Sequence, residues 1–363
     1  MRRVIVVLIA YAAMGLMALV ALNVSFLNPV SQVVKEFTLS DIYYQVLQES
    51  EHTDTSHVVT IVDMTDLPGR GAIAEALEAV NACEPKVVGI DVVFEGLKED
   101  TLGDMRIMEA AMADTSQVFS FRLLDNSENG EEEIHSFFAD IVPIHEGYTN
   151  FERSLYGGIK RQVSCGDGKR ISLVAEVVNL YAGEQLFDNS KKKININFTP
   201  KVFRVIPPDS IAYYSDYIKD NVVLFGATHE LSDMHYTPLG QIAGVELLAY
   251  SIQTLLEQSD VKVLPVWLTA ILMFFVSWLT WVMLQSFVKW AKGRKNEVSR
   301  FLFTTTFLKG WILFMWMGFF LWIGFLLFSY FHVNVSFGWA FASFPFLSGA
   351  NEFYDLCKKM FNK

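Results

Sequence analysis

Asp63 and Asp91 each close a short apolar run, Val58-Val59-Thr60-Ile61-Val62 and Val87-Val88-Gly89-Ile90. Runs of this kind are the strands of a parallel sheet covered on both faces. The loops beyond the carboxyl ends of such strands are where open parallel sheets take their ligands. Two carboxylates at one edge can coordinate a divalent cation or raise one another's pKa for acid–base work. The plainer use of an Asp after a strand is to cap the next helix or tie down a loop, and spacing alone leaves both uses open.

Gly226 closes a third run, Val222-Val223-Leu224-Phe225, and opens the most unusual stretch of the chain, residues 226–240, which is polar, long and placed directly after a buried strand. Thr228, His229, Asp233 and His235 lie in it, so it is a candidate ligand loop. The histidines and Asp233 include metal-capable groups, but their spacing fits no zinc signature, and a loop held by Asp233 side-chain hydrogen bonds is the simpler reading. Residues 157–161, Gly-Gly-Ile-Lys-Arg, either present Arg161 to an anion or form a turn with a solvated basic residue. The chain has no Gly-x-Ser-x-Gly elbow, Walker loop or paired-cysteine metal site. No catalytic residue, metal or cofactor is therefore assigned.

The elements that must position these residues alternate in type. After the first run, a turn with Pro68, Gly69 and Gly71 leads to a helix with Ile73, Ala76, Leu77 and Val80 on one face, then to the second run. Strand, helix and strand in that order make a βαβ unit with a right-handed crossover. A helix carrying Leu102, Met105, Met108 and Met112 precedes a strand at Val118–Phe121. Residues 127–133 read as an acidic loop, Leu173, Val177 and Tyr181 mark a helix, and 194–198 with 202–206 read as a hairpin-like pair. A last helix carries Val245, Leu248, Ile252 and Leu256. Upstream, residues 31–48 read as one or two short helices, with Ser40 as an N-cap. The fold class expected is α/β, a three-layer, mostly parallel sheet with flanking helices, joined to an α-helical membrane block.

Apolar residues make up 52% of the chain, and the excess sits at its two ends. Residues 4–27 carry no Asp, Glu, Lys, Arg or His and follow Arg2 and Arg3, which reads as an uncleaved membrane anchor rather than a signal peptide. Residues 265–288, 310–331 and 333–356 read as three further membrane helices, the last interrupted by Asn334, Pro345, Asn351 and Glu352. Residues 28–264 between them hold 18 of the 29 Lys and Arg but 37 of the 40 Asp and Glu. Lys289, Lys292, Arg294, Lys295 and Arg300 in one connector, with Lys358, Lys359 and Lys363 in the tail, mark the cytoplasmic side. The expected topology is multi-pass with both termini inside and the acidic domain outside. That acidity excludes nucleic acid as a partner. Cys83 and Cys165 would lie outside, as a disulfide or as two free thiols.

The order of these features resembles the CHASE type-two family, the extracytoplasmic sensor domains of bacterial cyclases, histidine kinases and diguanylate cyclases. The resemblance covers most of residues 31–265 and rests on Val62-Asp63, on Val88-Gly89-Ile90-Asp91-Val92-Val93-Phe94, on the Gly158–Arg161 turn, and on Val223 to Thr228, Asp233, Thr237-Pro238-Leu239 and Gly244-Val245-Glu246. It implies a bacterial inner-membrane protein, possible in homodimeric form, whose ligand contacts fall on Asp63, Asp91, Arg161, Gly226, Thr228, Asp233 and Glu246. Two departures stand out. Gly69-Arg70-Gly71 replaces the Trp-Pro-Trp-x-x-Arg element frequent in the family, so a ligand contact there does not carry over. The family's cytoplasmic catalytic module is not expected after Lys363.

Three functions fit these features. The first is a receptor-like protein that binds a small molecule or protein outside, signals through a separate partner and sits in membrane lipid. The second is an envelope scaffold or assembly protein. The third is a periplasmic metal-dependent enzyme using Asp63, Asp91 and Asp233.

Overall fold

A computed structural model describes residues 2–22, 39–49, 54–126, 130–151, 158–298, 301, 305–335 and 337–361. In chain order the elements are α1 (Arg2–Leu22), α2 (Leu39–Glu49), β1 (Asp54–Asp63), α3 (Arg70–Asn81), β2 (Val87–Ile90), α4 (Thr101–Ala113), β3 (Gln117–Asn126), β4 (Gly130–Ile134), β5 (His145–Tyr148) and β6 (Gln162–Gly166). There follow α5 (Leu173–Ala182), β7 (Lys192–Asn195), β8 (Lys201–Ile206), α6 (Ser215–Ile218), β9 (Val222–Gly226), the hairpin β10 (Met234–Thr237) and β11 (Gly240–Ala243), and α7 (Gly244–Leu256). The last are β12 (Lys262–Val263), α8 (Val266–Lys292), α9 (Thr306–Phe331), β13 (Val333–Asn334) and α10 (Gly338–Phe361). Contacts divide the chain into two units, Tyr44–Val261 and a second made of Met1–Tyr43 with Lys262–Lys363.

The unit Tyr44–Val261 is mixed α/β around a mainly parallel sheet. Strand order is β4-β3-β2-β9-β1-β8, β5 pairs in parallel with β3, and β4 is antiparallel. The βαβ unit is present, but β1 and β2 are not neighbours. β9, the last strand of the sheet, lies between them, pairing Ile61 with Leu224 on one side and Gly89 with Leu224 on the other. Every residue of β2 and β9 is buried, as the run of branched side chains requires of a central parallel strand. One core packs Val62, Ile90, Phe119, Val223 and Phe225 with Leu77, Val80 and Ile107 of α3 and α4. Phe138 closes it edge-to-face on Phe119, at 5.2 Å between ring centres. α5 packs against β2, β3 and β5, and α7 against β1 and β9.

Arg70, in the turn where the sequence departs from the family pattern, is buried at 8% exposure and ion-paired to Asp104, itself 3% exposed. Its guanidinium also donates to the carbonyls of Gly96 and Glu95 at 2.8 and 3.0 Å and lies 5.0 Å from the centre of the Phe137 ring. The second oxygen of Asp104 accepts the Lys98 N–H at 2.7 Å. Desolvation works against the Asp104 charge, but the Lys98 N–H and Arg70 outweigh it and hold its pKa below the ordinary value. This pair sets the rotation of α4, with Asp104, Ile107, Ala110 and Ala111 inward. Of the four residues by which the sequence marks this helix, Met108 packs against the core while Leu102, Met105 and Met112 are exposed.

Other expectations are corrected. The acidic stretch is not all loop: Gly130–Ile134 pairs with β3, and its Glu131 and Glu133 meet Arg170 at 3.0 and 2.6 Å. Residues 127–129 lie outside the described residues. The expected hairpin separates, because β7 pairs antiparallel with β6 while β8 runs parallel beside β1. Ser40 is inside α2 rather than capping it, and residues 31–38 lie outside the described residues. Cys83, Cys165 and Cys357 are all free thiols.

In the second unit, α8 and residues 307–331 of α9 are long and apolar enough to cross a membrane. α1 packs on α8 and α10, with Val6, Val7 and Ala10 buried against residues such as Val276, Ala340 and Phe344. Residues 23–27 of the expected anchor lie outside the described residues. Hydroxyls satisfy one another between the helices: Tyr11 and Ser277 at 3.1 Å, Ser277 and Ser343 at 2.9 Å, and Trp316 Nε1 donating to Thr280 at 2.9 Å. The expected start of the last helix at 333 moves to Gly338, because Val333–Asn334 pairs in parallel with Lys262–Val263.

Removing one partner of a buried ion pair leaves the other charge without compensation, at a cost of about 3–5 kcal/mol. Asp104→Ala is therefore expected to cut hydrogen-exchange protection of α3 and α4 in the full chain by at least a hundredfold. The joint change Arg70→Met and Asp104→Leu is expected to restore most of it.

Candidate functional site

The insertion of β9 between β1 and β2 fixes three strand ends in one row. Asp63 is in register with Gly226, and Ile90 with Phe225. Asp91 N–H donates to the Phe225 carbonyl at 2.8 Å, and Met64 N–H to the Gly226 carbonyl at 3.1 Å. Gly226 thus lies between the two acids. A Cβ on Gly226 would stand 2.6 Å from Val245, so only glycine lets the first turn of α7 close over the end of β9. Gly244 has the same role one step further on: a Cβ there would strike the Asp233 carboxylate at 2.3 Å. Asp233 therefore rests against the amino-terminal turn of α7, where unpaired N–H groups favour negative charge.

The four acids gathered here differ in what they already hold. Asp63 Oδ1 accepts the Thr65 N–H at 3.0 Å, the Thr65 hydroxyl at 2.6 Å and the Thr228 N–H at 3.2 Å. Desolvation opposes its charge, but these donors more than offset it and hold its pKa below the usual value. Thr65 also accepts from the N–H groups of Thr228 and His229, at 3.1 and 3.3 Å. Asp63 and Thr228 are thereby a loop tie, the plainer of the two uses read from the sequence. Glu246, at the third position of α7, reaches back to the Ala243 N–H as half of a capping box, and burial raises its pKa.

Asp91 is different. Its carboxyl makes no hydrogen bond or ion pair among the described residues. Desolvation, followed by the negative charge of Asp233, pushes its pKa up to about 7. Around it, His229 Nδ1 lies 3.8 Å from Asp63 Oδ2, and His235 Nε2 lies 3.5 Å from Asp233 Oδ1. His235 also stands edge-on to Phe151, with ring centres 5.3 Å apart. The long polar stretch is not a plain loop, because its second half is the β10–β11 hairpin. Arg161 stands at the other side of that hairpin: the Lys160 N–H donates to the Tyr236 carbonyl, and the Arg161 carbonyl accepts from Ile196. Among the described residues, no group of three or more His, Cys, Asp or Glu could hold a metal ion. Sequence reasoning missed Thr65, whose signal was the Asp63-Met64-Thr65 turn, a pattern in which Asp accepts from the residue two places on.

Compared with known families, the chain matches the family model described as CHASE2 domain over residues 11–284. No curated protein and no solved structure matches it.

Asp91 gives a pH dependence of defined sign. Between about pH 4 and pH 7 the native state keeps a proton that the unfolded chain has lost, so stability falls as pH rises through this window and levels off above it. Asp91→Asn is expected to remove the slope and to be more stable than the parent at pH 8 by on the order of 2 kcal/mol, read by urea titration with pulse proteolysis of the full chain. Gly226→Ala is expected to cost about 1–3 kcal/mol in the same assay, through overpacking on Val245.

Proposed function

The chain belongs to the CHASE2 domain family, an extracellular sensor domain family, and on that premise we propose that it is a membrane-anchored receptor-like protein that takes a positively charged ligand at the carboxyl edge of its sheet. One observation carries this reading: Asp91, in the row of strand ends, holds a carboxyl with no partner among the described residues, beside Asp233, with Asp63 and Glu246 already occupied by backbone donors. Desolvation and then the Asp233 charge raise the Asp91 pKa, and a cation at this edge opposes both, so binding and ionisation of Asp91 are coupled.

The same reading gives the architecture. Helices α3 and α4 in one core, with α5 and α7 packed against the sheet, support a three-layer domain across residues 28–264. In this reading an anchor at 4–27 and helices at 265–288, 310–331 and 333–356 hold it outside the bacterial inner membrane, with both termini cytoplasmic, and the length and apolarity of α8 and α9 support it. α7, whose first turn borders the site, is followed by α8 after residues 257–265 alone. A ligand that selects one position of α7 biases this link, and the bias passes to a separate signalling partner, with a homodimer as the receptor form. The metal-enzyme reading loses ground, because Asp63 is engaged by Thr65 and Thr228.

The test is the melting of the full chain with calcium, magnesium or putrescine, each against sodium at equal ionic strength. A ligand at a hundred times its dissociation constant adds about 2.7 kcal/mol, and Asp91→Asn is expected to abolish the gain. Stabilisation by anionic compounds alone, or a gain unchanged in Asp91→Asn, would sink the site. Co-purification from native membranes then tests the partner: transport or envelope proteins alone would favour the scaffold over signalling.

A further inference from the structure

A cavity of about 1350 Å³ opens within the second unit, between α1, the carboxy-terminal end of α8, the start of α9 and α10. Among the described residues five cations line it, Arg3, Lys289, Lys292, Arg294 and Lys309, and no Asp or Glu does. None of the five is in an ion pair among the described residues. By contrast, the neighbouring Arg2 is paired with Asp355 at 2.6 Å and with Asn351 at 2.9 Å. Arg294 lies over the Trp290 ring, 4.1 Å from its centre.

Basic residues at this end of membrane helices are retained there by topology alone, and lysines in the last turn of α8 also complement its helix dipole. Neither reason accounts for Trp281. It lines the same cavity, is 5% exposed, and its indole N–H is buried with no acceptor. A buried donor without a partner costs about 1–3 kcal/mol, and native structures rarely keep one. Its neighbour in α9, Trp316, finds Thr280. A cavity walled by five cations, one of whose lining residues keeps a buried indole N–H without a partner, is complementary to a compact oxyanion that offers several acceptors and more than one negative charge or a shared one.

We propose that this cavity is a binding site for a phosphate group, held by Arg3, Lys289, Lys292, Arg294 and Lys309 and accepting the Trp281 N–H. At the end of two helices suited to cross a membrane, the phosphate of an anionic phospholipid headgroup fits the position as well as the charge. The inference rests on the membrane placement of α8 and α9 and is independent of the sheet-edge site.

The test uses the full chain in a neutral detergent, with native mass spectrometry of the protein after addition of phosphatidylglycerol, phosphatidylcholine or inorganic phosphate alone. Phosphatidylglycerol is expected to be retained about tenfold more tightly than phosphatidylcholine. Trp281→Phe keeps the ring and removes the donor, and is expected to weaken retention about tenfold, the usual worth of a hydrogen bond to a charged group. Lys289→Gln with Lys292→Gln changes only charges and is expected to remove the preference. Binding of inorganic phosphate, lost in the same variants and without preference among lipids, would support the site and assign it to a soluble phosphate compound. Equal retention of both lipids with no phosphate binding, or retention unchanged in both variants, would overturn it and leave the cations as topology signals. Asp91→Asn is expected to have no effect here, which separates failure of this site from failure of the ligand site.

Discussion

The arrangement of the outer unit depends on the placement of β9 between β1 and β2. Its carbonyls at Phe225 and Gly226 take the N–H groups of Asp91 and Met64, so the chain directions of both flanking strands are fixed at the point where they leave the sheet. Because the pairing is parallel and in register, the three carboxyl ends fall in one row, and whatever follows each strand must share that edge. The glycines at 226 and 244 then let α7 approach far enough to put the Asp233 carboxylate against its first turn. A concentration of negative charge is a consequence of that packing, not of any local run of acids.

Burial treats the acids of this unit in three ways, according to the donors each one meets. Asp104 is deeply buried yet charged, because Arg70 and the Lys98 N–H face it. Asp63 is partly buried and held charged by hydroxyl and backbone donors. Asp91 is desolvated, meets no side-chain donor among the described residues and faces Asp233, so its neutral form is favoured up to about pH 7. Structural acids and a candidate ligand acid are thus separated by hydrogen bonding rather than by exposure. In the helical unit the same accounting is met by hydroxyls, and the indole of Trp281 is where it fails to close.

Much of this was legible in the sequence. The buried strands announced themselves as unbroken apolar runs, the helix after β1 by its period, and α8 and α9 by length and the absence of charge. The ordered set of short motifs from Val62-Asp63 to Gly244-Val245-Glu246 was enough to mark the family, since such motifs are fixed by chain positions that do not shift. The misreadings share a cause. Glu131 and Glu133 belong to a strand because Arg170, far along the chain, neutralises them. α4 turns Leu102, Met105 and Met112 away from the core because Arg70 claims Asp104.

The sequence by itself determined the buried strands β1, β2 and β9, the suitability of α8 and α9 for a membrane, and that Asp63 and Asp91 end two of those strands. It did so because hydrophobic period and length act through local geometry. Only the tertiary structure decided that β9 separates β1 from β2, that Asp63 is tied down while Asp91 has no side-chain partner among the described residues, and that five cations line one cavity with an unsatisfied indole. Those facts depend on partners distant in the chain, and no local pattern records which donor a carboxylate or a carbonyl will meet.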